Sequence, residues 1–168
     1  FADNNSLSCV GGFYTHYRAD SISATNGQSI CTWSDSSFTG RNLTAFSSCP
    51  TYISNAQNGK PALSFDGVSN FLTGNLLMGI YNEETLIVIY KDESNPNSVL
   101  LNHGNSSGKF LVGLNSSAND IYFEGADNLS FFQSPLLNID DSSTSILSVR
   151  QKSNDSVNLR FNQNNIWS

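Results

Sequence analysis

Asn58-Gly59-Lys60-Pro61-Ala62-Leu63-Ser64-Phe65-Asp66-Gly67 places two turn signals around one short extended stretch. Asn-Gly is a strong hairpin signal, because both residues tolerate the positive φ that a tight two-residue turn demands. Pro61 has no N–H to give a β-ladder, so it belongs at the start of a strand. Phe65 is then expected to point inward, and Asp66-Gly67 to close the strand with a second turn. Nothing in the stretch starts or sustains a helix.

The same grammar extends in both directions. Short β-type runs are predicted at about 28–33, 61–66, 71–73, 84–91, 98–103, 109–114, 120–124, 130–133, 145–150 and 157–163. Between them lie turn clusters such as Asn26-Gly27, Asn102-His103-Gly104, Ser106-Ser107-Gly108 and Asp140-Asp141-Ser142-Ser143. No window of about 11 residues carries apolar positions at i, i+3, i+4 and i+7. Many short strands at roughly 8–12-residue spacing predict an all-β fold, an antiparallel two-sheet sandwich of jelly-roll type. In Val157-Asn158-Leu159-Arg160-Phe161-Asn162, apolar and polar residues alternate, which predicts one face on a core and one in water. Leu86-Ile87-Val88-Ile89-Tyr90 is apolar on both faces, which predicts a central strand covered on both sides. The 134–144 stretch, with Pro135, reads as a connection between sheets. With no repeat and no linker, residues 1–168 read as one domain.

Composition narrows the function classes. The 168 residues carry 8 Lys+Arg against 14 Asp+Glu, a formal net charge of −6. A nucleic-acid binder needs a basic face, so no nucleic-acid partner is expected. Ser, Thr and Asn number 28, 9 and 22 and take the place of charged residues, which make up only 13%. Aromatics at 11% supply apolar mass for a core and argue against disorder. No run approaches the roughly 20 apolar residues of a membrane-spanning helix, so no membrane insertion is expected. The chain begins at Phe1, which reads as a piece of a longer, processed protein. Of the three cysteines, Cys31 and Cys49 flank an excursion rich in Ser, Gly and Asn. They form one candidate disulfide, with Cys9 the competing partner and three thiols the remaining alternative.

The first half carries a longer pattern. Tyr17-Arg18-Ala19-Asp20-Ser21-Ile22 is followed by Asn26-Gly27-Gln28, Trp33-Ser34-Asp35-Ser36 and Gly40-Arg41-Asn42-Leu43-Thr44. After Pro50-Thr51-Tyr52 comes the opening stretch, ending at Phe71-Leu72. Over residues 13–73 this resembles the concanavalin A-like lectin/glucanase superfamily, in particular its laminin-G-like bacterial modules. The motifs read as scaffold: Trp33 as a core residue, Asp35 and Ser36 as hydrogen-bond partners of the backbone in the turn that follows. The resemblance implies further strands beyond Trp167. The end at Ser168 predicts a sandwich without its C-terminal strands, with an open edge that another chain or a second copy completes.

The resemblance also implies what chemistry to look for. A retaining glucanase needs two carboxylates about 5–5.5 Å apart. The clusters Glu83-Glu84, Asp92-Glu93 and Asp140-Asp141 are adjacent pairs, which a strand would send to opposite faces, so catalysis is not expected. No G-x-S-x-G surrounds a serine, and His16 reads as a core or rim residue. Members of the superfamily often hold Ca²⁺ with aspartate and asparagine oxygens; Asp66, Asp120, Asp127 and Asn128 are the candidates. Sugar binding implies an aromatic platform with amide and carboxylate partners, for which Tyr81, Asn82, Asp92, Asn102, His103, Tyr122 and Trp167 are the candidates. Six Asn-x-Ser/Thr sequons, at Asn4, Asn42, Asn105, Asn115, Asn128 and Asn154, are close to what this composition gives by chance. The expectation is an extracellular, non-catalytic recognition module at a cell surface or on a surface appendage, binding a glycan or a cell-surface protein. The alternative is a structural subunit of a surface filament or pilus, assembled by strand sharing. A glycoside hydrolase is the third reading.

Overall fold

A computed structural model describes residues 14–75, 84–91, 98–105, 108–115, 120–124, 131–134, 144–151, 157–162 and 164–167. Its regular structure is β throughout, apart from one 3-10 turn at Ala19–Ser21. Among the described residues the paired strands are antiparallel and form four small sheets. Contacts divide the chain into two compact units, Phe1–Met78 and Gly79–Ser168.

The first unit contains β1 (Thr32–Trp33), β2 (Leu43–Ala45), β3 (Thr51–Gln57), β4 (Lys60–Ser64) and β5 (Leu72–Thr73). Strands β1, β2 and β5 form one sheet in that order, and β3 and β4 form a hairpin. The hairpin turns at Asn58 and Gly59, with φ of 49° and 74°, positive at both central residues as the sequence demands. Gln57 pairs with Lys60 across the turn. The strand expected at 28–33 shortens to β1. Residues 27–30 instead run beside β3, with Tyr52 N donating to Gln28 O at 2.8 Å and Ile30 N to Pro50 O at 2.9 Å. That alignment buries Ile30, Pro50 and Tyr52 and brings Cys31 to Cys49, which form a disulfide with Cα atoms 4.8 Å apart. Cys9 lies outside the described residues.

Phe65 corrects one expectation. It is 43% exposed rather than turned inward. Strand β4 ends at Ser64, so Phe65 falls outside the alternation that would have aimed it at a core.

The second unit holds β6 (Glu84–Tyr90), β7 (Ser98–Asn105), β8 (Gly108–Asn115), β9 (Asp120–Glu124), β10 (Phe131–Ser134), β11 (Ser145–Gln151), β12 (Val157–Phe161) and β13 (Asn164–Trp167). Strands β7 to β10 form a meander in sequence order. Asn102-His103-Gly104, expected as a turn, lies inside β7; the chain reverses between Asn105 and Gly108, which pair. The other sheet runs β13-β12-β11-β6. On one of its faces Leu147, Val149, Leu159 and Phe161 are buried. Each contributes roughly 1.5–3 kcal/mol by leaving water. Leu159 and Phe161 are two of the three apolar members of the alternation read in 157–162.

Strand β6 corrects the second expectation. It ends the sheet order rather than sitting centrally, pairing with β11 through its whole length. Its odd positions face outward, with Ile87 53% and Ile89 68% exposed. Neighbouring positions of a strand face opposite ways, and among the described residues the buried apolar side chains of this sheet share one face.

Candidate functional site

The loop after Trp33 is organised by one carboxylate. Oδ1 of Asp35 accepts from His16 N and Ser37 N, each at 2.8 Å. Its Oδ2 accepts from Ser37 Oγ at 2.7 Å, Thr39 Oγ1 at 2.8 Å and Arg41 N at 3.0 Å. Partial burial pushes the carboxyl up, but the donors from His16, Ser37 and Thr39 outweigh it and hold the pKa well below the usual carboxylate range. Trp33 is half-buried and donates Nε1–H to Arg18 O at 3.1 Å. Arg41 lies over the Tyr14 ring, 4.8 Å from its centroid. The His16–Asp35, Trp33–Arg18 and Arg41–Tyr14 contacts tie the segment 14–18 to the segment 33–41, and the other bonds to Asp35 close the turn 35–41. Asp35 therefore acts as a scaffold residue.

Asp66 does the same for the turn after β4. Oδ1 accepts from the backbone of Val68, Ser69 and Asn70 at 2.8–2.9 Å, and Oδ2 from Ser69 Oγ at 2.7 Å. The donors of Asn70 and Ser69 hold its pKa well below the ordinary range. The turn carries Asn70 and Ser69 back beside Ser48: Ser48 and Ser69 hydroxyls lie 2.9 Å apart, and Ser47 Oγ donates to Ser69 O at 3.2 Å.

Beside these serines the ends of β2 and β5 present two aromatic rings. Ala45 pairs with Leu72, so the residues just beyond, Phe46 and Phe71, fall opposite each other. Their rings stack with centroids 5.6 Å apart and planes 19° from parallel. Phe46 is 78% exposed and Phe71 47%. A stacked pair of phenylalanines left in water is the informative exception to aromatic burial. Ser47 directly follows Phe46 and hydrogen-bonds Ser69, two residues before Phe71, so the exposed apolar rings have polar neighbours along the chain.

The second unit offers a different surface. Pairing of β6, β11 and β12 lays out its outer face in three rows: Ile89 beside Ile146, Ile87 beside Ser148 and Arg160, and Thr85 beside Arg150 and Asn158. Thr85, Ser148, Arg150, Asn158 and Arg160 line a depression of about 420 Å³. Ile87, Ile89 and Ile146, the last 43% exposed, form an apolar shelf next to it.

Six of the residues proposed from sequence are described, one in the first unit and five in the second. Asn102 is exposed in β7, and register places it and Tyr122 of β9 at positions sharing one face of the meander. His103, the next position in β7, belongs to the opposite face. Trp167 in β13 pairs with Leu159. Asp66 lies in the first unit and Asp120 at the start of β9 in the second. Tyr81, Asn82, Asp92, Asp127 and Asn128 lie outside the described residues. Phe46, Phe71, Arg150 and the Ile87–Ile89 shelf were not singled out as site residues in the sequence, although the alternation in 157–162 already turned Arg160 outward.

No group of three or more His, Cys, Asp or Glu side chains converges as a metal cage among the described residues. No described helix is long and apolar enough to cross a membrane. Comparison of the chain with protein-family models, with curated proteins and with solved structures finds no match.

Proposed function

We propose that the chain is a non-catalytic extracellular recognition module that binds carbohydrate, built as the jelly-roll sandwich its sequence resembles. The observation that carries this reading is the Phe46–Phe71 pair, stacked and exposed beside Ser47, Ser48 and Ser69. Sugar rings dock on such surfaces through their C–H faces, while their hydroxyls trade hydrogen bonds with a polar rim. Two further observations support it. Asp35 and Asp66 spend their oxygens on donors of their own chain, as scaffold and not as acid–base groups. The Cys31–Cys49 disulfide suits an oxidising, extracellular compartment.

A glycan-array screen of the full chain, run with calcium and with a chelator, tests the proposal. Saturable binding to one glycan class is expected, and loss on chelation would add the metal. Reducing-sugar release from a polysaccharide, or no binding in either condition, would sink the non-catalytic glycan reading.

A second reading has its own observation. Strand β6 ends its sheet order, so its outer backbone edge is where a strand of a neighbouring copy can add, and Ile87 and Ile89 give the face beside that edge an exposed apolar stripe. In that reading the chain is a structural subunit of a surface filament.

A further inference from the structure

The turn that Asp35 organises also fixes the side chain of Asn42. Asp35 N donates to Asn42 Oδ1 at 3.0 Å. A backbone N–H can only donate, so the amide atom facing it is the oxygen, and Nδ2 lies on the other side of the group. Asn42 is exposed, and Nδ2 makes no hydrogen bond among the described residues. Asn70 is the contrast: its Oδ1 accepts from Asp66 N and its Nδ2 donates to Cys49 O, so both ends of that amide are used.

Asn42-Leu43-Thr44 is an Asn-x-Thr sequon. Six sequons are about what chance gives this composition, so the motif alone carries nothing. Its placement distinguishes this one. The other five include residues outside the described ones, whereas all three positions of 42–44 are described. In β2 Leu43 and Ala45 are half-buried on one face, and Thr44 is exposed on the other. Asn42, one residue before the strand, is exposed with it. Thr44 pairs with Thr32 of β1 and Thr73 of β5, both exposed. The sequon hydroxyl therefore stands in a row of three small side chains, strand to strand about 4.7–4.9 Å apart, open to solvent.

We propose that Asn42 is an attachment site for an N-linked glycan. Nδ2 forms a bond to the anomeric carbon of an oligosaccharide carried on a polyprenyl pyrophosphate. The bond from that carbon to the pyrophosphate oxygen breaks, the lipid pyrophosphate leaves with the electron pair, and one Nδ2 proton passes to solvent. Nothing is oxidised or reduced. Oδ1 stays a carbonyl oxygen, so the bond from Asp35 N survives the modification. Glycan and scaffold use opposite ends of one amide. Attachment rests on the reading of the chain as extracellular, because such glycans are carried on surface loops of secreted proteins.

The test secretes the full chain from a glycosylating cell line and maps the peptide containing residues 42–44 by mass spectrometry, before and after peptide-N-glycosidase. A glycan on Asn42 is expected, with aspartate at that position after release. Thr44→Ala should abolish the modification and Thr44→Ser should retain it; formation of the Cys31–Cys49 disulfide checks that each variant folds. Hydrogen exchange of the Asp35 amide should be equally slow in the glycosylated protein and in the unmodified chain from cells that lack the machinery. In Asn42→Ala it should be severalfold faster, the scale of one lost hydrogen bond. Secreted, disulfide-bonded protein with Asn42 unmodified overturns the proposal and leaves the extracellular reading standing. Glycosylated protein whose Asp35 amide exchanges as fast as that of Asn42→Ala also overturns it, since the glycan then displaces the scaffold bond. A chain that is retained in the cell, or secreted with Cys31 and Cys49 reduced, sinks the extracellular reading and this site with it.

Discussion

Phe46 and Phe71 face each other across the ends of β2 and β5, stacked at 5.6 Å, with more than three quarters of Phe46 left in water. The pairing of Ala45 with Leu72 sets this arrangement, since the strands end there and the next residue on each side projects past the ladder. Such a ring contributes little to the folded state that solvent does not also give the unfolded chain. Its area becomes useful when a ligand covers it.

Phe46→Ala is therefore expected to separate binding from stability. Covering a phenylalanine ring is worth roughly 1.5–3 kcal/mol, so affinity for a platform-bound glycan should fall at least about tenfold. The free energy of unfolding in urea should change by less than about 0.5 kcal/mol, as for an exposed side chain. A large loss of stability with unchanged glycan affinity would make Phe46 a packing residue and remove the platform.

Asp35 leads to a pH prediction. Its folded-state pKa is depressed, because the donors around it outweigh desolvation. The native state then holds the proton more weakly than the unfolded chain, whose aspartates titrate near about 3.9. The stabilisation is complete above about pH 5 and is lost as pH falls below about 4 toward the folded value. Asp35→Asn should destabilise the chain at neutral pH by about 2–3 kcal/mol, through lost charge-assisted hydrogen bonds to His16, Ser37, Thr39 and Arg41. It should also flatten part of the acid limb; Asp66, depressed in the same direction, keeps the remainder. Urea unfolding from pH 3 to 7 reads both effects. An unchanged acid limb in the variant would show that Asp35 is not the organiser of the loop.

These residues show which parts of the structure could be read from sequence. Asn58-Gly59 announced its hairpin because the constraint is local: two adjacent residues at positive φ. The alternation in Val157–Phe161 announced its buried face for the same reason. Strand β3 went unread because Thr51-Tyr52-Ile53-Ser54-Asn55-Ala56-Gln57 lacks alternation and ends in polar residues. The signal was present one step away, since a hairpin turn before Lys60 requires a strand ahead of it. Strand β13, two asparagines, an isoleucine and a tryptophan, exists through pairing with β12 and has no pattern of its own. The candidate surfaces were harder still. Aromatic identity argues for burial, so exposed Phe46 and Phe71 run against the prior. Arg150 and Arg160 become neighbours only through the register of two strands, which no single segment encodes.

The disulfide has a defined contribution. It closes a loop of 18 residues between Cys31 and Cys49. Chain-entropy arguments give about 3 kcal/mol for a loop of this length. The Cys31→Ser, Cys49→Ser double variant should lose about that much, and reductant should destabilise wild type but not the variant. Denaturant unfolding with and without reductant measures both. Equal sensitivity of the two proteins to reductant would show that this bond does not form in solution.

The edge of the β13-β12-β11-β6 sheet decides between the recognition module and the strand-sharing subunit. Strand β6 has an exposed apolar stripe, Ile87 and Ile89, next to Ile146. A long apolar edge is a template for another strand unless a charge interrupts it. If copies join through β6, Ile89→Lys places a charge in the joint and should shift sedimentation from an assembled species to the monomer, while the free energy of unfolding stays within about 0.5 kcal/mol of wild type. Glycan affinity at the Phe46–Phe71 platform should not change. Assembly that persists in Ile89→Lys would rule out joining through the β6 edge, and a wild type that sediments as a monomer at all concentrations would leave the recognition module as the reading.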